Sequence, residues 1–470
     1  MALVAVREVV AQVEANSLVI EAYYRERKEF FDRYPNFFAN LPELEYALYG
    51  TLILNESKVD EIKYATQELW SVLKKVKDYV LSLEAVDLLE LGYPKELIPY
   101  LYLDYLSFDT VLSRFDFIVS EHGIKAIEIN NVTPFLVAET FDMNNKIIEN
   151  ENSKIKNQNL EFSKGLIWKN EKSKNENSKN ENSKIKKLFS PNENCENEIT
   201  SSYTRGIVDC CQFLKIKKPK IAIISQDIME DWEEYIQVET IYNAIPNYIG
   251  DIEFFNIKDM TIVFGEGVYA PSGDKIDILI TPAYPYEFLI NDKDEEGNNI
   301  GIELLNLIKD RKLAMLNPPS SNILQSKISF AILWNMYENG ELTPHESEIV
   351  YRYLAPTYTE ATPFTLWSKP YVKKPVISRE GASVEIVKNN EVSKSKHDLY
   401  SDFLSVYQEF IELPKLEVIL NNEFTEKYYI IGSFVCNDNA VGLSCRLGNE
   451  ITEWDSHWLA VSYVKEGDLI

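Results

Sequence analysis

A chain of 470 residues exceeds one average hydrophobic core, so two or three subdomains are expected. With 45% hydrophobic residues it can fill them. A formal charge of −26 argues against binding the backbone of a nucleic acid, which needs a basic surface; it fits simple solubility and would also tolerate a cationic substrate.

Cys195, Cys210, Cys211, Cys436 and Cys445 form no CxxC pair, and the histidines are scattered, so free thiols are expected and a zinc site is not. The opening MALVAVREVVAQVEANS has no basic start and is interrupted by Arg7 and Glu8, unlike a signal peptide. No apolar run approaches membrane-spanning length, and a cytoplasmic location is expected.

Residues 1 to about 105 read as mostly helical, with an amphipathic stretch from Leu3 to Asp32 and a helix start at Ser57-Lys58-Val59-Asp60 running to about Leu83. Then comes SRFDFIVSEHGIKAIEINNVTP, Ser113 to Pro134, which reads as a hairpin. In Arg114–Ser120, Arg114, Asp116 and Ile118 alternate with Phe115, Phe117 and Val119. In Ile124–Asn130, Ala126, Glu128 and Asn130 share one face. A three-residue loop, Glu121-His122-Gly123, sets Asp116 opposite Glu128 and Arg114 opposite Asn130. Two carboxylates and an amide oxygen suit Mg2+, and the adjacent arginine suits a phosphate. A solvated polar face on an ordinary half-buried hairpin gives the same alternation.

A helix is expected from about Leu136. From about Asn150 to Lys187 the composition falls to Asn, Lys, Glu and Ser, a flexible insertion too polar to bury. Lys220–Ser225, a helix from Trp232 to Ala244 and Asp251–Phe255 make a β-α-β unit without GxGxxG. A strand at Lys275–Thr281 leads to Tyr284-Pro285-Tyr286-Glu287-Phe288, and Arg311–Leu316 is a further strand. Ser326-Lys327 opens a helix, and Thr343-Pro344-His345-Glu346 is a capping box. Tyr371 to Val384, YVKKPVISREGASV, presents Lys374 on a strand before a small-residue turn whose backbone N–H groups can fold over phosphates; a plain hairpin between Val376 and Val384 fits as well. Tyr428 to Thr452 is a hairpin turning at Asn437-Asp438-Asn439.

These segments, in this order, resemble the glutathionylspermidine synthase family, a branch of the ATP-grasp ligases. Its metal segment runs Arg-x-Asp, then Glu-x-Asn with a Thr-Pro-like tail. Tyr284–Phe288 resembles its Tyr-Pro-Trp-Glu-Trp element, and Lys374–Val384 its Lys-Pro-x-x-Gly-Arg-Glu-Gly-Ala-x-Val signature. Tyr428–Thr452 resembles its Gly-Ser-Trp-Val ending with arginine and Ile-Thr. Ser378 replaces a glycine, Val132 stands where an acidic residue is common, and Leu447 replaces a glutamate.

The resemblance implies an α/β fold: an ATP-grasp core, a β-α-β substrate subdomain and a mostly helical N-terminal segment. The expected division is 1–149 for that segment and the metal hairpin, 150–190 for the insertion, 191–320 for the substrate subdomain and 321–470 for the nucleotide lobe. Only the synthetase part is expected, since no Cys–His pair suggests an amidase domain. It implies Mg2+, two ions, on Asp116, Glu128 and Asn130, and ATP on Arg114, Lys327, Lys374, Ser378, Glu380, Gly381, Gln408, Ile451 and Thr452, with Gln408 reading the adenine edge. Thr133 is expected at the substrate and Arg446 as the catalytic arginine. The implied activity is ADP-forming ligation of a carboxylate to an amine, glutathione and a polyamine in the family's namesake case. A catalytically inactive Mg-ATP-binding regulator of the same fold is the alternative.

Overall fold

The protein is seen in a computed structural model, whose described residues are 2–156, 167–168, 185–226, 232–389 and 391–465. Three sheets place the site. The largest has eight strands and is mixed. From one edge its order is Gly123–Asn130, Leu112–Ser120, Glu423–Cys436, Asn439–Gly448, His457–Val464, Ala47–Asn55 and Ile167–Trp168, with Lys415–Leu420 paired to the first half of Glu423–Cys436. A four-stranded parallel sheet runs Ala314–Leu316, Ile278–Ile280, Lys220–Ser225, Asp251–Asn256. A five-stranded antiparallel sheet runs Thr357–Tyr358, Ser405–Glu409, Tyr371–Pro375, Glu385–Lys388, Glu391–Lys394.

The hairpin forms with Asp116 opposite Glu128 and Arg114 opposite Asn130. Its turn differs from the expectation. Ser120 pairs with Gly123, so the loop is two residues, Glu121 and His122, and Gly123 has a positive φ of 127°. The ladder then slips between Asp116 and Phe117, because Phe117 pairs with Ala126 and Ile127 is left over. That bulge restores the Asp116–Glu128 pairing and moves Ala126 to the face of Phe117, away from Glu128.

The N-terminal segment contains helices Ala2–Phe31 and Glu56–Leu81, but between them Ala47–Asn55 is a strand parallel to His457–Val464 inside the main sheet. Its sequence, ALYGTLILN, is apolar at nearly every position because both faces are covered, so it has no period of two to reveal it. The expected insertion is ordered at both ends. Asn150–Lys156 completes the helix Asn144–Lys156, which follows a π-helical turn at Glu139–Met143, and Ile185 and Leu188 pack with Ile148 and Val464. The near-repeat NEKSKNENSKNENSK lies outside the described residues.

The β-α-β unit has Ile221 beside Ile252 in parallel register, with the helix Trp232–Ala244 between the strands. The expected Lys275–Thr281 strand is divided: Lys275–Ile276 joins a small antiparallel sheet and Ile278–Ile280 the parallel one. The described residues contain no helix long and apolar enough to cross a membrane.

Candidate active site

The hairpin's polar face forms one wall of a cleft enclosing about 800 Å³ of space open to solvent, and the five-stranded sheet forms the opposite wall. Arg114, Asp116, Glu128, Asn130, Lys374, Glu380, Gly381, Gln408, Arg446, Ile451 and Thr452 all line it. These residues come from segments separated by more than three hundred positions, on two separate sheets and the turns beside them, and the packing of the two sheets brings them together.

Arg114 grips Asp116 with two hydrogen bonds, Nε to Oδ1 at 2.7 Å and Nη2 to Oδ2 at 3.1 Å, and its Nη1 donates to the Phe135 carbonyl at 2.7 Å. Such a fork is stronger than a single contact and fixes the planes of both groups. Space for it comes from Gly432, which pairs with Asp116 in the neighbouring strand. A Cβ at Gly432 would lie 2.8 Å from Arg114 Cδ, closer than atoms tolerate. Asn130 Nδ2 reaches Asp116 Oδ2 at 3.4 Å.

Two lysines stand behind the carboxylates. Lys327 Nζ lies 3.0 Å from Glu128 Oε1 and donates to the Ser378 carbonyl at 2.8 Å. Lys374 Nζ donates to Gln408 Oε1 at 2.8 Å and to the carbonyl of Ile127, the bulged residue, at 3.2 Å. Burial pushes the Lys374 ammonium down to about 8; Lys327 pushes it the same way, while Glu128 and Asp116 pull against both. Burial also resists the charge on Glu128, but Lys327, Lys374 and Arg114 outweigh it and hold the carboxyl below its usual range.

The Gln408 side chain is held within the protein. Both of its polar ends are engaged, Oε1 by Lys374 and Nε2 on Thr357 Oγ1 at 3.1 Å, and its segment Ser405–Glu409 is a strand beside Tyr371–Pro375. The apolar part of the cleft is made by side chains not singled out in the sequence, among them Val372, Ile386, Phe410, Leu413 and Ile430.

The turn after Lys374 arches to Ile451 and Thr452. Glu380, Gly381 and Ser383 all have positive φ, and a Cβ at Gly381 would lie 2.6 Å from the Thr452 carbonyl oxygen. This is where a glycine is required. Ser378 is buried beneath the turn. Arg446 donates to Ser456 Oγ through Nε at 3.2 Å and Nη2 at 2.9 Å, and Nη2 reaches the Glu453 carbonyl at 3.4 Å.

Thr133 is outside the cleft. Its Oγ1 accepts from Arg379 Nη1 at 2.6 Å, and Arg379 Nε donates to Glu287 Oε1 at 2.6 Å. Arg379 and Glu287 were not among the site residues read from the sequence, although each lies inside a quoted motif. Glu287 Oε2 and Arg379 Nη2 are buried without a protein partner among the described residues.

The family model described as glutathionylspermidine synthase preATP-grasp matches residues 43–462. A putative acid–amine ligase from Haemophilus influenzae is 29% identical over 268 residues, which is 54% of this chain and 59% of the relative, so the match spans little more than half the relative's length. A glutathione synthetase-like effector from Globodera pallida superposes with a TM-score of 0.51 at 11% identity, covering 89% of this chain and 90% of its own. At that identity the likeness speaks to fold: mixed α/β, of the glutathione synthetase-like type. With the family model covering all but the ends, this chain belongs to the glutathionylspermidine synthase preATP-grasp family.

Proposed function

We propose that the protein is an ATP-dependent ligase that joins a carboxylate to an amine and releases ADP. The observation that carries this reading is the convergence in one cleft of Asp116, Glu128 and Asn130 with Lys374 and the Gly381 turn. ATP fits with its base among Val372, Ile386 and Phe410 and its phosphates toward Lys374, Lys327 and the turn.

Asp116, Glu128 and Asn130 would hold Mg2+, two ions in the family's pattern. Their oxygens are hard donors on one face, and the acids are now balanced by Arg114 and Lys327. Bound there, the metal would supply neutralisation of the phosphate charge. Lys374 and Lys327 orient the terminal phosphoryl group, and Arg446 offsets charge on it.

The substrate carboxylate attacks the terminal phosphorus, the bond to the bridging oxygen breaks, and ADP leaves. The amine then attacks the acyl carbon of the acyl phosphate. Inorganic phosphate departs with the bonding pair, and the amine loses its proton, leaving an amide. Thr133, beside Arg379, is proposed at the substrate end. Glutathione and a polyamine are the substrate pair suggested by the family name.

The test is ADP release with Mg-ATP and pooled acids and amines, followed by mass identification of the amide. Stabilisation by Mg-ATP without ADP release from any pair would remove the ligase and leave a nucleotide-binding regulator.

A further inference from the structure

A depression enclosing about 1160 Å³ of space open to solvent lies at the edge strand Thr357–Tyr358 of the five-stranded sheet, and it is roomier than the cleft. The hairpin tip supplies one side through His122 and Lys125. The last turn of the helix Pro344–Tyr353 supplies another through Tyr351 and Arg352, and the segment after Thr362–Thr365 a third through Lys369. Glu409 lines both the depression and the cleft.

The wall reverses the charge of the chain. Acids outnumber lysines and arginines by 74 to 48 overall, yet here Lys125, Arg352, Lys369 and His122 meet one acid among the described residues, Glu409. That acid is opposed by Lys125: burial pushes the Lys125 ammonium down, and Glu409 pulls it back up. Lys125 Nζ donates to the carbonyls of Tyr351 at 2.6 Å and Leu354 at 3.1 Å, which leaves one N–H of the ammonium. Arg352 Nη2 donates to Glu61 Oε1 at 2.9 Å. The His122 and Lys369 side chains have no hydrogen-bond or ion-pair partner among the described residues. Cations gathered without their counter-charge attract an anion.

Aromatic rings make the rest of the wall. Trp334 and Phe364 are buried, and Phe364 meets the Tyr358 ring edge-on. Trp334 Nε1 and the Tyr358 hydroxyl both donate to Glu338 Oε1, at 3.0 and 2.7 Å, so their polar ends are occupied and what remains is apolar surface. Tyr351 is 64% exposed, and a ring so exposed is free to stack on a planar guest. An ammonium guest would also favour the rings, but it would stand among the charges of Lys125, Arg352 and Lys369.

We infer that this depression is a second binding site, separate from the nucleotide cleft, for a small anion carried on a planar aromatic body. The carboxylate or phosphate lies against Lys369, His122 and the remaining N–H of Lys125, and the ring packs on Tyr351 and Phe364. No step of the ligation passes through it, so the site stands whether or not the cleft ligates.

Titration calorimetry of the full chain tests it. Each aromatic anion is compared with a ring lacking the charge and a charge lacking the ring: indole-3-acetate with indole-3-acetamide and acetate, phenyl phosphate with phenol and inorganic phosphate. At least one aromatic anion should bind about fivefold or more tighter than both of its controls, the scale of one exposed charge contact, and the one that does so names the head group. Binding should persist in saturating Mg-ATP. Lys369→Glu and Tyr351→Ala should each weaken it about fivefold or more and leave the Mg-ATP affinity unchanged. Both residues are exposed and Lys369 strands no partner, so both variants should fold. Displacement by Mg-ATP would place the anion in the cleft and overturn the proposal. So would equal binding of the uncharged rings, no binding of either anion, or variants that bind like the wild type. Anion binding that these variants remove, in a chain that releases no ADP with any acid and amine, would sink the ligase and keep this site.

Discussion

Lys374 Nζ lies 3.2 Å from the carbonyl of Ile127, the residue squeezed out of the hairpin ladder beside Glu128. The bulge therefore does two things. It sets Glu128 opposite Asp116, and it turns a carbonyl toward a buried ammonium, which joins the hairpin to the five-stranded sheet.

That ammonium gives a pH prediction. Burial first, and Lys327 second, lower Lys374 from 10.5 to about 8. Between those values the unfolded chain holds a proton that the folded chain has released, so this group favours the folded state increasingly as pH rises through that window. Phosphate binding runs the other way, because it needs the charged form. ATP affinity of the free protein should fall above about pH 8, approaching tenfold per pH unit. Lys374→Met should bind ATP weakly, with that dependence gone. Titration calorimetry from pH 6 to pH 10 checks both, and a wild-type affinity flat across the range would separate Lys374 from the phosphates.

Asp116 is the more firmly held of the two acids, since Arg114 forks onto it and Asn130 touches it. Asp116→Ala should lower substrate-dependent ADP release by roughly a hundredfold to a thousandfold, the scale for losing one positioned electrostatic group. Because Asp116 is buried and its removal strands the Arg114 charge, the variant should also lose about 3 kcal/mol of stability, so its activity is read at a temperature below its single cooperative melt. Ordinary turnover in this variant would remove the hairpin from the chemistry.

Gly432 tests the arginine indirectly. A methyl group there meets Arg114 Cδ at 2.8 Å, so the side chain must lift off the strand or the strand must move. Gly432→Ala should cost about 1–3 kcal/mol in stability, as overpacking does, and raise the KM for ATP. Denaturant titration and ATP saturation curves measure the two effects. A lower stability with unchanged ATP dependence would show that Arg114 organises Asp116 without touching nucleotide.

The hairpin was legible because its two faces differ in polarity, and period-two alternation survives a one-residue bulge if the strand ends are anchored. The bulge itself was not, since no residue type at Ile127 announces it. Lys374 and Gly381 were legible through the resemblance and through the need for small residues in a tight turn. The link of Gln408 to Lys374 was not legible, because it depends on the pairing of Val372 with Gln408 across strands far apart in sequence. Ala47–Asn55 was hidden by being apolar throughout, and the ends of the 150–190 segment by composition that masks a few anchoring residues such as Ile185 and Leu188.

Arg379 and Glu287 were likewise invisible as a pair, each sitting in a separate motif. Their 2.6 Å contact ties the phosphate turn to the end of the parallel sheet, and both side chains are largely buried. Breaking such a pair from one side strands the other charge. Glu287→Gln and Arg379→Gln should therefore each cost about 3 kcal/mol, and the double variant clearly less than the sum. Chemical denaturation of the four proteins in the cycle measures the coupling. The same link carries Thr133, through Arg379 Nη1, so the single variants should also raise the KM for the non-nucleotide substrates more than the KM for ATP. Additive stabilities with equal changes in both KM values would mean that the contact is incidental and that the turn is held in place by Gly381 and Thr452 alone.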